Sequence, residues 1–272
     1  MPTALDRWRA ALAAWTVDPD ILAAAPESPY GCTPDLFPAL ATPADTPSRR
    51  RALEALEGEP GGGSVLDVGC GAGAAAFALV PPATRLIAVD QSPAILAAFA
   101  ASAAERAVPA QTVEGRWPDV ADRVPDADVV VCHHVAYNAP DFAAFALALD
   151  AHARRRVIVE ISGVHPWSRL TPLWRHFHGQ DRPEGPTADL AAEVLREAGL
   201  EPRVERFAQP PRETPFDMLV AFTRRRLCLP YDKEPEVAEL LRAGRARELR
   251  DTVTLWWDVV RDEPVVAHAR RS

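Results

Sequence analysis

The run Val65-Leu66-Asp67-Val68-Gly69-Cys70-Gly71-Ala72-Gly73 joins a short apolar strand to a glycine-rich turn at a helix start. Three glycines there let the backbone approach a ligand closely and let a helix N-terminus face it. A dinucleotide fingerprint, G-x-G-x-x-G, requires glycine at position 74, where Ala74 stands. Asp67, two residues before Gly69, would repel a pyrophosphate and attract a ligand with a cationic group. Asp90 follows Gly69 by 21 positions (90 − 69), the spacing that suits a carboxylate accepting hydrogen bonds from both hydroxyls of a ribose. Together these residues describe a site for a ribose-bearing cation.

Such a site needs strands that end beside one another, and the flanking sequence supplies them. Residues 65–68, 85–90, 112–114, 128–132, 156–161 and 204–207 read as strands, and 72–79, 93–104, 141–151 and 187–198 as helices. This alternation predicts a doubly wound α/β core with a parallel sheet covered on both faces. Before it, residues 4–15 place Leu5, Trp8, Leu12 and Trp15 on one helical face, 17–48 form a proline-rich irregular arm, and 47–56 form a second helix. After it, 163–186 read as irregular. Residues 216–227 read as a helix, although 218–223 alone also suit a strand, 234–249 as a helix and 252–260 as the last strand.

The chain is long enough, at 272 residues with 48% apolar, for one large domain or two small ones. Its 30 basic and 38 acidic residues leave a net charge of −8, which disfavours a nucleic-acid partner. Cys32, Cys70, Cys132 and Cys228 lie too far apart for a zinc or redox motif and read as reduced thiols. No run approaches the ~20 apolar residues that span a bilayer. The expectation is a soluble cytoplasmic protein without a membrane segment.

On the glycine turn and its two carboxylates, residues from about 47 to 207 resemble the class I S-adenosylmethionine-dependent methyltransferases. The resemblance implies S-adenosylmethionine as cofactor, a Rossmann-like fold and a seven-stranded sheet whose last strand is antiparallel. The domain boundaries that follow are an N-terminal helix and arm or lid over 1–48, then a methyltransferase domain over 49–272, with 208–250 as a helical cap inserted before the last strand. Asp67 would lie near the methionine amino group, with Gly69, Cys70, Gly71 and Gly73 under the methionine and ribose. Asp90 would hold the ribose hydroxyls and Gln91 would pack beside the adenine. The family's third strand ends in a Gly-Asp-Ala-like segment. Here the residues are Gly115-Arg116-Trp117, leaving Arg116 or Trp117 to stack on the adenine.

After the fourth strand, Cys132-His133-His134-Val135-Ala136-Tyr137-Asn138 would line the methionine and acceptor side. Strand alternation points only one histidine into the site; His133 is assigned to the cofactor and His134 to the acceptor. His134 is the candidate general base, needed only if the acceptor carries a proton that must leave, with Tyr137 and Asn138 as orienting residues. Tyr30, His165 and Trp167 are candidates for the acceptor pocket. His165, His176 and His178 lack the placed carboxylates of a metal site, and none is assigned. The arginine clusters at 49–51, 154–156 and 224–226 read as solvated faces.

The leading reading is a small-molecule methyltransferase, monomeric or homodimeric. An RNA or protein methyltransferase, a non-catalytic S-adenosylmethionine-binding module and, third, an NAD-dependent oxidoreductase are the competitors. Asp67 and Ala74 weigh against the last.

Overall fold

A computed structural model describes residues 1–30, 45–58, 61–210, 214–244 and 250–260. In chain order the elements are α1 (Ala4–Ala13), α2 (Pro19–Ala24), α3 (Pro47–Leu56), β1 (Ser64–Val68), α4 (Ala74–Phe77), β2 (Arg85–Asp90), α5 (Pro93–Glu105), β3 (Ala110–Glu114), β4 (Ala127–His133), α6 (Phe142–His152), β5 (Ala153–Ser162), α7 (Thr171–His178), α8 (Ala188–Glu197), β6 (Arg203–Gln209), α9 (Phe216–Arg226), α10 (Glu234–Ala243) and β7 (Arg250–Asp258). The helices start where side-chain acceptors meet their first N–H groups: Thr3, Thr46, Ser92, Asp141 and Thr187 cap α1, α3, α5, α6 and α8. Each such cap is worth about 1 kcal/mol.

The strands form one sheet in the order β3-β2-β1-β4-β5-β7-β6. All neighbours are parallel except β7, which runs antiparallel to both β5 and β6. This is the expected doubly wound seven-stranded sheet. Its order reverses between β1 and β4, which is where an open α/β sheet leaves a crevice at the carboxyl ends of its strands.

Alternation along the strands sorts the core into two layers. Leu66, Val68, Ile87, Val130, Val157 and Leu255 face α1, α6 and α8. Val65, Leu86, Ala88, Val131, Ile158 and Trp256 face α3, α4 and α5. Asp67, Asp90, His133 and Glu160 share the parity of this second set. Trp8 ties α1 to the first layer: it is fully buried, stacks on Tyr137 and Phe142, and donates from Nε1 to Ala139 O at 2.9 Å.

A third cluster departs from expectation. The insertion before β7 supplies α9 and α10, but Val220, Leu227 and Val237 pack with Val17, Ile21 and Trp174, so α2 and α7 belong to the same cap. Neither α2 nor α7 was expected. Both begin with proline in the first turn, and α7 stops at Gly179, φ 65°. The triplet at 224–226 is a correction too. Arg224 and Arg226 are buried; Arg224 pairs with Glu27 and Glu234, Arg225 donates to Ser28 O and Tyr30 O, and Arg226 donates to Pro29 O. Instead of a solvated face, the triplet fastens residues 27–30 to α9.

Cys70, Cys132 and Cys228 are buried free thiols. Cys32, the arm over 31–44 and parts of the cap at 211–213 and 245–249 lie outside the described residues. No helix among the described residues is long and apolar enough to cross a membrane.

Candidate active site

Gly69, Gly71 and Gly73 all take positive φ, 70°, 50° and 77°, but their surroundings differ. A Cβ on Gly69 would stand 2.4 Å from Val135 Cγ2, and one on Gly73 2.3 Å from the Phe77 ring. A Cβ on Gly71 would meet nothing within 4 Å. The turn is thus packed at both ends and open at its centre. Gly69 and Cys70 N–H both donate to Val89 O, at 2.8 and 3.1 Å, and Gly71 N–H donates to Asp90 Oδ2 at 3.3 Å. These bonds hold the open residue beside the half-buried Asp90, whose other oxygen accepts from Ser92 N–H at 3.0 Å.

Asp67 is 1% exposed and its Oδ2 accepts from Ala76 N–H at 3.3 Å. Burial pushes this carboxyl up to about 8; the Ala76 hydrogen bond opposes the shift and the charge of Asp90 adds to it. Near neutral pH it therefore keeps its proton, and a cation placed beside it would draw the proton off. The Cys70 thiol is pushed up by burial and then by the two carboxylates, so it stays protonated and unreactive. Gln91 is exposed next to Asp90. The expected helix over 72–79 is only α4, because left-handed Gly73 cannot enter a helix and Pro81 and Pro82 follow closely. A single turn aligns few peptide dipoles, so the carboxylates provide the main electrostatics here.

At the end of β4 the expectation that one histidine turns away does not hold. His133 pairs in register with Glu160 of β5. His134 then leaves the strand at φ 61°, which breaks the period-two argument, and its Nε2 lies 3.2 Å from Glu160 Oε1. Both imidazoles thus act on one carboxyl. Glu160 is 5% exposed. Burial would raise it, but the charges of His133 and His134 and the hydrogen bonds from His134 and Ser48 outweigh burial and hold it at about 2. Ser48 Oγ, from the first turn of α3, lies 2.6 Å from Glu160 Oε2 and 2.6 Å from Thr254 Oγ1 of β7. Sequence reasoning missed Glu160. Its signal is a single acid inside the apolar run Val157-Ile158-Val159-Glu160-Ile161.

The remaining expected residues divide. Arg116 is exposed and reaches Asn138 O at 3.4 Å, with the Asn138 side chain exposed beside it. Trp117 is a correction to the adenine assignment. It is 6% exposed, donates from Nε1 to Phe145 O at 3.2 Å and meets His152 edge-on, its ring joining the apolar layer that Phe142, Phe145 and Leu149 of α6 supply. Tyr137 is buried with its hydroxyl donating to Ser162 O at 2.6 Å, and burial raises it far above an ordinary phenol. It braces the loop after β4 against α1 and is no proton acceptor.

The three acceptor-pocket candidates meet in one aromatic cluster. Tyr30 stacks on Trp167 at 5.8 Å, Trp167 meets His165 edge-on, and His165 stacks on Trp15 at 4.0 Å and touches the Tyr137 ring. Burial and then the charges of Arg182 and Arg226 lower His165 to about 3. It is neutral, and its Nδ1 accepts from Trp167 N–H at 3.3 Å. His176 and His178 instead reach Glu236 and Leu227 O, holding α7 to α10 and the end of α9.

Comparison with known proteins bears on the domain and its fold. Residues 65–154, from β1 into β5, match the model of a methyltransferase domain family. No curated protein matches the sequence. Among solved structures, the YcgJ protein of Bacillus subtilis is similar at 16% identity and a TM-score of 0.52, covering 79% of this chain and 99% of its own. A Bacillus halodurans protein assigned as a methyltransferase is similar at 17% identity and a TM-score of 0.50, covering 75% of this chain and 95% of its own. A Galdieria sulphuraria protein assigned as a sarcosine dimethylglycine methyltransferase gives 14% identity and a TM-score of 0.51, covering 78% of this chain and 82% of its own. At these identities the structures establish a shared fold.

Proposed function

The chain carries a methyltransferase domain over residues 65–154, and from it we infer an enzyme that moves the methyl group of S-adenosylmethionine onto a small-molecule acceptor. The observation that carries the reading is the pair Asp67 and Asp90 around a turn that opens at Gly71. This donor set fits a ribose bearing a cationic arm: a buried carboxyl for the ammonium, a half-buried one for the hydroxyls, and backbone close enough for the ligand to lie against.

Bound there, S-adenosylmethionine supplies a methyl group on a sulfonium, a leaving group already activated. The chain then has to align the acceptor and exclude water, and orientation can supply most of the acceleration. Val135, packed on Gly69, anchors the loop that carries His134. The aromatic cluster of Trp15, Tyr30, His165 and Trp167 offers apolar walls and a neutral imidazole, which suits a small, partly apolar acceptor better than a polyanion. The net charge of −8 acts in the same direction.

The test is methyl transfer from labelled S-adenosylmethionine to a panel of small molecules, with total RNA and a protein mixture alongside. Label entering the small-molecule fraction supports the reading. Label entering only RNA or protein refutes the acceptor class.

A further inference from the structure

Glu160 is an isolated acid among buried apolar neighbours, and its partners are chemically selective. An ionised carboxylate only accepts hydrogen bonds. Ser48 must therefore donate its one hydroxyl proton to Oε2, and Thr254 must donate to Ser48. By the same rule the imidazole nitrogen facing Oε1 carries a proton, which makes His134 the Nε2–H tautomer. Among the described residues Nδ1 of that ring has no hydrogen-bond partner. The backbone repeats the arrangement: His134 N–H donates to Glu160 O at 2.7 Å. His134 is thus latched to one residue at two points while it sits at φ 61°, a left-handed position that costs about 1 kcal/mol or more for a residue with a Cβ.

Resting on the methyltransferase reading above, we propose that Glu160 is a positioning residue that holds His134 in the Nε2–H tautomer, leaving Nδ1 to take the proton of an acceptor O–H or N–H. In that step the acceptor–carbon bond forms as the carbon–sulfur bond breaks, the bonding pair goes to sulfur, and the acceptor proton passes to Nδ1. The substrate class that needs this arrangement carries a dissociable proton. A thioether or tertiary amine has none to give and would gain nothing from it. Ser48 of α3 donates to the carboxylate and is itself held by Thr254 of β7, and Gln209 Nε2 of β6 donates to Oε1 at 3.5 Å, so the carboxylate that orients the imidazole is fixed from three further elements.

The test is nitrogen-15 NMR of the full chain labelled at histidine, with the His134 signals assigned through His134→Gln and read while the ring is neutral. The wild-type protein should show the Nε2–H tautomer alone. Glu160→Gln, whose amide both donates and accepts, should show a mixture of tautomers. An Nδ1–H tautomer in the wild type overturns the proposal even if the variant fails to fold, and so does an unchanged single tautomer in Glu160→Gln. Failure of the wild type to bind S-adenosylhomocysteine refutes the methyltransferase reading, whatever the tautomer.

Discussion

If Asp67 faces the ammonium of the ligand as proposed, its raised value moves the pH dependence of binding from the ordinary carboxylate range to the neighbourhood of pH 8. A carboxyl raised from 3.8 to about 8 on folding destabilises the folded state as pH rises between those values, by about 4 kcal/mol at pH 7 at 1.36 kcal/mol per unit. The same shift taxes a ligand whose cationic group needs the ionised form. With a folded value of about 8, roughly 1% of Asp67 is ionised at pH 6 and half at pH 8, so affinity should rise about fiftyfold between them. Calorimetric titration with S-adenosylhomocysteine, whose ammonium stays charged over this window, reads the effect directly. Asp67→Asn should bind more weakly than wild type at pH 8, lose most of the pH dependence and be the more stable protein in urea there. A wild-type affinity that is flat over the window, or an Asn variant that keeps the dependence, would show that Asp67 does not face the cation.

Other consequences are measurable without an acceptor. Glu160 is depressed from 4.5 to about 2, so its contribution of about 3 kcal/mol is present above the unfolded value and lost as pH falls from 4.5 through 2; thermal melts at pH 5 and pH 3 should show roughly half of that loss in wild type and little of it in Glu160→Gln. Trp8→Ala empties a fully buried site and strips Ala139 O of its donor, and should cost about 3–5 kcal/mol in urea. Gly69→Ala, whose Cβ would meet Val135 at 2.4 Å, should lose more stability than Gly71→Ala, whose Cβ meets nothing within 4 Å. Binding of S-adenosylhomocysteine should fall in Gly71→Ala, whose Cβ would enter the space proposed for the ligand.

What the sequence made legible follows from how local the determinants are. β1, the glycine turn and β2 lie within one stretch, and β2 needed only its apolar run to be seen. The turn and both carboxylates were readable for the same reason. Glu160 was not, because its meeting with His134 depends on the β4 and β5 pairing and on a left-handed residue that ends the alternation. Trp117 misled because an aromatic residue after a strand can turn either way, and α6 covers the inner one. The arginines at 224–226 looked solvated until carbonyl groups at 28–30, from the far end of the chain, closed over them. α7 was hidden by its prolines, although Pro172 and Gly179 mark its two ends.

A crystal structure with S-adenosylhomocysteine would show whether the turn between Asp67 and Asp90 holds a ribose-bearing cation. The ribose hydroxyls should lie on Asp90, the ligand backbone against Gly71 and the ammonium toward Asp67. A ligand bound elsewhere, or seated with its ribose away from Asp90, would contradict this placement.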